Sequence, residues 1–449
     1  MQTNLRAYLS NKHFLSLTGN LVISFTSIVS ASVIFRSLNV ADVGRWIFFI
    51  SLLGLVDSVR SGFITTAFIR ACAGATPARA AEVSGSTWFI ALLITLAFGA
   101  LNVGAALVPS AYVGAELELF IRWFGLTLLA TLPGFMAGCA LQADMRFDQL
   151  LYLRLISQGL FTGGVIVLML TKTATLERIV YLNLFRECVC SGSALLLGWA
   201  RLRSFGRRTR ACTRELFHFG KYSIGSYVGT VLARSTDTFI INFTLGPAAL
   251  AVYSLAGRFM EIIEIPLRSA IATAVPALSV AYNQHDHARL ADLLRRNAGV
   301  VTVVILPLVV GIFAFADVLV AAVGGGKYLH TEAPAILRIL IAMAIIFPID
   351  RFFGVALDVT NQPKTNLFKV LLIFGVNLVG DFIGVWLLGN IYGIALSSVV
   401  AMVIGFVYGY VVLAKSIRVT LREILVAGVK ETWKIAKTLR ARLSPTKLI

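Results

Sequence analysis

Apolar residues run through this chain in long continuous blocks. They neither alternate, as in a half-buried strand, nor form the single stripe of a soluble surface helix. A helix needs roughly 20 such residues to cross the hydrocarbon of a bilayer. In order, the blocks predict helices over about 14–35, 43–69, 84–108, 119–141, 151–170, 176–199, 219–243, 249–277, 298–323, 333–356, 366–388 and 391–413. The expected fold class is therefore all-α, a polytopic membrane protein of about twelve transmembrane helices. A membrane β-barrel is excluded because its strands alternate between lipid-facing and lumen-facing residues. Pro133 and Pro307 fall inside predicted spans and mark kinks, since proline removes a helix hydrogen bond and crowds the preceding turn.

Composition agrees: 58% of residues are hydrophobic and 14% charged, where a soluble domain carries about 25% charge. The net charge of +18 invites a nucleic-acid partner, but its distribution excludes one. Lys and Arg collect in alternate loops, the pattern that orients helices in a membrane. One side gathers Arg6, Lys12, Arg70, Arg79, Arg146, Arg154, the cluster Arg201 to Lys221, Arg289, Arg295, Arg296, Lys364, Lys369 and the tail beyond Lys415. The other side has only Arg36, Arg45, Arg122, Lys172, Arg178 and Lys327. Both termini are expected in the cytoplasm. Residues 1–13 are polar and basic, and the following apolar run is too long for a signal core, so no cleaved leader is expected.

The basic stretch around 201–218 suggests a cytoplasmic linker between an N-terminal six-helix lobe, 1–200, and a C-terminal one, 219–414. A weak internal repeat supports the division: Leu38 to Trp46 aligns with Leu245 to Tyr253, each joining the first two helices of its half. In the tail, 415–449, Leu421, Ile424, Leu425, Val429, Trp433 and Ala436 recur at helical spacing among Arg422, Lys430, Lys434 and Lys437. That pattern suits an amphipathic helix on an anionic cytoplasmic leaflet.

Enzyme chemistry finds no support. Gly324-Gly-Gly-Lys327 is followed by Tyr328 and follows no strand, so it is no phosphate loop. The five histidines lie at loops and helix ends, without a zinc-helix spacing. The five cysteines are odd in number and have no metal-ligand spacing. No cofactor is expected. What remains is charge inside apolar helices, which is costly and by default functional. Seven arginines lie there: Arg60, Arg186, Arg234, Arg258, Arg268, Arg338 and Arg351. No lysine is expected among these cations. Arg258, Glu261, Glu264 and Arg268 are spaced three, three and four, which puts them on one helical stripe. Arg234 and Asp237 lie one turn apart on the preceding helix, and Asp57 and Arg60 on the second. Asp350 and Arg351 stand near a helix end and read as interfacial; Arg186 and Glu187, being adjacent, diverge by about 100°. A guanidinium presents a fork that matches phosphate, so such a set suits an anionic head group. The alternative is that these charges form ion pairs that only fix packing.

From Phe219 onward the chain resembles the polysaccharide flippases of the multidrug/oligosaccharidyl-lipid/polysaccharide exporter superfamily. The resemblance rests on Phe219-Gly220, on Asp237 before Leu245-Gly246, on Tyr253-Ser-Leu-Ala-Gly-Arg258, and on Pro266 with Pro276-Ala-Leu-Ser279. It continues through Gly326-Lys-Tyr328, Ala333 and Leu337 to Asn377 and Tyr392-Gly393-Ile-Ala395. Ala251 stands where glycine is expected, and no proline precedes Tyr392. The resemblance implies two six-helix lobes around a central cavity in the bacterial inner membrane. It implies movement of a polyprenyl-pyrophosphate-linked oligosaccharide to the periplasmic leaflet by alternating access, for cell-surface polysaccharide synthesis. Polysaccharide polymerase and co-polymerase proteins are the implied partners. Carried onto this chain, the pyrophosphate site is expected at Arg60, Arg234, Arg258 and Arg268. Asp57, Asp237, Glu261, Glu264 and Asp381 are expected to compensate charge or to carry a coupling proton or sodium ion. A cation-coupled multidrug exporter, with the acids as the main site, and a non-transporting membrane scaffold are the alternatives.

Overall fold

A computed structural model gives the conformation of residues 12–107, 115–417 and 419–443. Arg6 and Lys447, counted above with the basic side, and Val108, the expected end of the third span, lie outside these residues. Among the described residues, fifteen α-helices follow one another. They are α1 (Lys12–Ser37), α2 (Val40–Cys72), α3 (Pro77–Ala106), α4 (Ala115–Ala143), α5 (Phe147–Leu170), α6 (Leu176–Leu196), α7 (Arg210–Thr244) and α8 (Pro247–Asn283). After these come α9 (His287–Ala314), α10 (Ala316–Gly324), α11 (Ala333–Met343), α12 (Phe347–Val359), α13 (Pro363–Leu388), α14 (Ile391–Ser416) and α15 (Leu421–Leu443). No strand occurs among the described residues. Nine of these helices are long and apolar enough to cross a membrane, and α11 with α12 makes a tenth span, broken by a 42° bend. The apolar part of α1, Val22–Ser37, and the 35-residue α7 fill the other two expected positions. The protein is a multi-pass helical membrane protein.

The helix ends are written locally. Asn39, Thr76, Thr175 and Asn390 precede α2, α3, α6 and α14, and each side chain accepts a backbone N–H from the first turn. Such caps satisfy donors that the helix itself leaves open. Pro77 and Pro363 occupy the first turns of α3 and α13, where a missing N–H costs nothing. Gly389 ends α13 in the left-handed region at φ +62°, and its N–H reaches the Val385 carbonyl.

The chain divides into two compact units: Met1–Asn242 with Gly246–Ala251, and Phe243–Leu245 with Val252–Ile449. The division thus falls at the turn between α7 and α8, later than the basic stretch 201–218. The reason is visible in the packing of that stretch. Residues 202–207 form a short 3-10 turn against α3, where Gly85 admits it: a Cβ there would stand 2.2 Å from the Ser204 carbonyl oxygen. The Trp88 indole donates 2.7 Å to the Ala200 carbonyl. Gly220 of α7 lies against Phe63, and Gly62 of α2 against Tyr227. These contacts seal a core that includes Phe68, Trp88, Met136 and Leu216.

Within the first unit, α4 stays one helix through Pro133, and α6 fastens to it beside the proline. The Gly134 N–H donates 3.0 Å to the Ser191 hydroxyl. That hydroxyl in turn donates 2.6 Å to the Ala130 carbonyl.

The second unit is built on α13 and α14, which approach backbone to backbone. A Cβ on Gly384 would stand 2.6 Å from the Gly393 carbonyl, and one on Gly393 would stand 2.3 Å from that of Gly384. Helix α9 packs on α11, α12 and α15.

Candidate functional site

Helix α8 is two-faced. Leu255, Phe259, Ile263, Leu267, Ala274 and Leu278 are buried at 4% exposure or less, at the spacing of one helical face. The opposite face carries Arg258, Glu261, Glu264 and Arg268, then exposed Ser269 and Thr273. The expected stripe is real and self-paired. Arg258 Nη1 donates 3.0 Å to Glu261 Oε1, and Arg268 bonds Glu264 one turn earlier. Arg258 is 34% exposed, Glu261 52% and Arg268 64%. A charge left exposed on a membrane-spanning helix cannot face hydrocarbon; it faces a water-filled cavity or a polar interior. In the first unit, Arg234 is exposed on α7 and Asp237 half-buried.

Arg60 is different. Its side chain is 1% exposed and both terminal nitrogens are engaged, while Nε is buried without a hydrogen-bond partner. Nη1 donates 3.2 Å to the Leu128 carbonyl, and Nη2 donates to Asp57 Oδ1 at 2.5 Å and Thr131 Oγ1 at 2.9 Å. The guanidinium lies 4.6 Å from the centre of the Phe135 ring. Asp57 also accepts the Ser61 hydroxyl at 3.2 Å. Arg60 therefore fastens α2 to α4, near Pro133.

Asp381 is fully buried on α13. One carboxylate oxygen accepts the Asn377 amide at 3.0 Å and the other accepts the Ser397 hydroxyl from α14. The Ile394 carbonyl lies 2.8 Å from the same hydroxyl. Ser397 and Gly380 also line a groove of about 340 Å³ between α13 and α14, otherwise walled by residues such as Val376, Leu387 and Val400.

One buried charge pair was missed in the sequence. Lys369, counted there with a cytoplasmic loop, is 3% exposed inside α13, and Asp350 of α12 is 8% exposed. Their charges meet at 2.5 Å, and the ammonium also donates 3.0 Å to the Asp350 backbone carbonyl. Gly409 of α14 makes room: a Cβ there would stand 3.3 Å from Lys369 Cε. The cations inside the helices thus include a lysine, and Asp350 is buried in the protein beside it. The signal was the apolar run Phe368, Val370, Leu371, Leu372, Ile373 around Lys369. The other arginines are spent locally. Arg186 pairs with its neighbour Glu187, their long side chains converging despite diverging Cβ directions, and lies 5.1 Å from the Phe161 ring. Arg338 pairs with Asp317.

The family model described as "Polysaccharide biosynthesis protein" matches residues 33–333. Teichuronic acid biosynthesis protein TuaB of Bacillus subtilis is 23% identical over 350 residues, spanning 76% of this chain and 69% of that protein. The probable low-salt glycan biosynthesis flippase Agl15 of Haloferax volcanii is 21% identical over 299 residues, spanning 66% of this chain and 61% of its own. Among solved structures, the lipid II flippase MurJ in an inward closed conformation has a TM-score of 0.73 at 14% identity, covering 95% of this chain and 93% of MurJ. An inward-facing multidrug resistance MATE family transporter of the MOP superfamily has a TM-score of 0.67 at 15% identity, covering 89% of this chain and 98% of that one. At these identities the structural likeness is one of fold.

Proposed function

This chain belongs to the polysaccharide biosynthesis protein family, and from that premise we propose that it is a flippase for a lipid-linked saccharide. The cargo is a polyprenyl-pyrophosphate-linked oligosaccharide, carried from the cytoplasmic to the periplasmic leaflet of the bacterial inner membrane. Two relatives support the class, since one is described as a probable glycan flippase and a fold neighbour as a lipid II flippase. The observation that carries the reading is the charged face of α8, opposite a buried apolar face, on a helix apolar enough to cross a membrane. Arg258 and Arg268 on α8 are the pyrophosphate ligands in this reading, and the exposed Arg234 of α7 is a further candidate. Guanidinium grips phosphate oxygens in pairs, at roughly twice the strength of a neutral hydrogen bond.

The neighbouring acids give the site its release. Without cargo, Glu261 and Glu264 hold the arginines. A pyrophosphate must displace them, so its net binding is the difference between two charged pairs and stays weak enough to reverse. Arg60, 1% exposed and bonded through both terminal nitrogens to α2 and α4, serves in this reading as a fastener of the first unit. Asp381, Asp237 and the α8 acids are the candidates for a coupling proton or sodium ion. Alternating access of the arginine-bearing faces to the two leaflets completes the cycle. Polysaccharide polymerase and co-polymerase proteins are the partners that would receive the cargo.

Translocation of a fluorescent polyprenyl-pyrophosphate oligosaccharide in proteoliposomes tests this. Arg258→Ala and Arg268→Ala should each slow transport by about tenfold or more, the worth of a hydrogen bond to a charged group. Transport unaffected by both keeps the activity and removes the site. No cargo movement, with export of an organic cation under an imposed gradient, would replace the flippase with a multidrug exporter.

A further inference from the structure

Helix α15 is too charged to cross a membrane, yet it is not a free tail. It crosses α9 at a close glycine pair: a Cβ on Gly299 would stand 2.2 Å from the Ile424 carbonyl oxygen, and one on Gly428 would stand 2.4 Å from that of Gly299. Arg296 bonds Glu431 at 3.0 Å beside the crossing. Ile424 is fully buried there. A reciprocal capping box starts the helix: the Thr420 N–H donates 3.0 Å to the Glu423 carboxylate, and the Glu423 N–H donates 3.3 Å to the Thr420 hydroxyl.

The crossing point has a depth. From His287 to Asn297, α9 carries Arg289, Asp292, Arg295 and Arg296; from Ala298 to Ala314 it carries no charge. A spanning helix makes that change where it passes from the head-group layer into hydrocarbon. Gly299 lies within one turn of the change, so α15 crosses at interface level.

Around its circumference α15 has three sectors. Ile424, Gly428 and Glu431 face α9. Next around the helix come Leu425, Val426, Val429 and Trp433, 45% to 62% exposed, with Arg422 in the first turn. Beyond them lie exposed Lys430, Lys434 and Lys437, the last with its ammonium 3.6 Å from the centre of the Trp433 ring. A helix lying in an interface beside a spanning helix needs one sector for protein, one for acyl chains and one for head groups. We propose that α15 lies in the cytoplasmic membrane interface beside α9 and binds anionic phospholipid. Leu425, Val426, Val429 and Trp433 enter the acyl layer, and Lys430, Lys434 and Lys437 meet the phosphates. Lysine on this boundary extends its ammonium outward while its stem stays apolar.

The test uses the full-length protein in nanodiscs of phosphatidylcholine, with and without phosphatidylglycerol, and reads hydrogen–deuterium exchange in α15. Anionic lipid should slow that exchange. Each lysine is worth about a fivefold shift in binding an anionic surface, so K430Q/K434Q/K437Q should lose about 100-fold and abolish the lipid dependence. None of the three lysines lies at the glycine crossing, but Lys434 shares Glu431 with Arg296, so K430Q/K437Q, which spares that pair, is made alongside and should lose about 25-fold. Brominated acyl chains should quench the Trp433 emission, taken as the difference between the native chain and Trp433→Phe. Equal exchange in both lipids with unquenched Trp433 would overturn the proposal, as would protection that appears only when an acidic protein is added. Neither readout requires transport, so the result is independent of the flippase reading.

Discussion

Lys369 with Asp350 and Arg258 with Glu261 are both cation–carboxylate pairs on helices that are otherwise apolar. The first is enclosed by three helices of the second unit, with both partners under a tenth exposed. The second lies along one helix with a third to a half of each side chain open. Removing one partner of an enclosed pair strands a charge in a medium that cannot solvate it, whereas an open pair exchanges its partner for water or for an arriving anion. Enclosure therefore turns the same chemistry into a fastening, and exposure leaves it available. Arg60 with Asp57 stands between the two, its guanidinium 1% exposed and its carboxylate 35%.

The largest effect should come from the enclosed pair. Lys369→Ala should lower unfolding stability by about 3–5 kcal/mol, measured by denaturant titration in detergent. Replacing both partners by apolar residues, Lys369→Met with Asp350→Leu, should recover most of it; failure to recover would mean the pair does more than fasten. Arg60→Ala should cost about 2–3 kcal/mol, the worth of hydrogen bonds made by a charged group. A stable Arg60→Ala protein with lost transport would move Arg60 back among the cargo ligands and break the comparison. Arg258→Ala should change stability by less than about 0.5 kcal/mol, as for other helical ion pairs with open side chains, while transport falls. Smallest is the capping box of α15. The Thr420 backbone N–H holds the Glu423 carboxyl below the usual carboxylate range, near 4 in an unfolded chain (about 4.3). Its contribution is therefore present above that value and lost as pH falls through the lowered folded one. Hydrogen exchange in the first turn of α15 should quicken over that acid range, and Glu423→Gln should flatten the dependence.

Much of this was legible in the sequence. The apolar blocks located the spans, and the three-three-four spacing of Arg258 to Arg268 put four charges on one face because α8 stays a single helix through Pro266. The same local logic paired Asp57 with Arg60. What it could not supply was burial. Lys369 read as the end of a basic loop because Lys364 precedes it by five residues; only the packing of α12 and α14 around it shows a core ion pair. The span over 333–356 read as one helix, but residues 344–346 break it before Pro348. The basic stretch after Arg201 read as a linker on charge alone, while Gly85 and Trp88 show it docked.

The serine between α4 and α6 has a consequence for what position 191 can hold. Its one hydroxyl accepts the Gly134 N–H and donates to the Ala130 carbonyl, so it is acceptor and donor at once. A cysteine there is a weaker partner in both senses, and an alanine removes both bonds together. Position 191 is thus a single point at which two helices can be uncoupled without touching the apolar core.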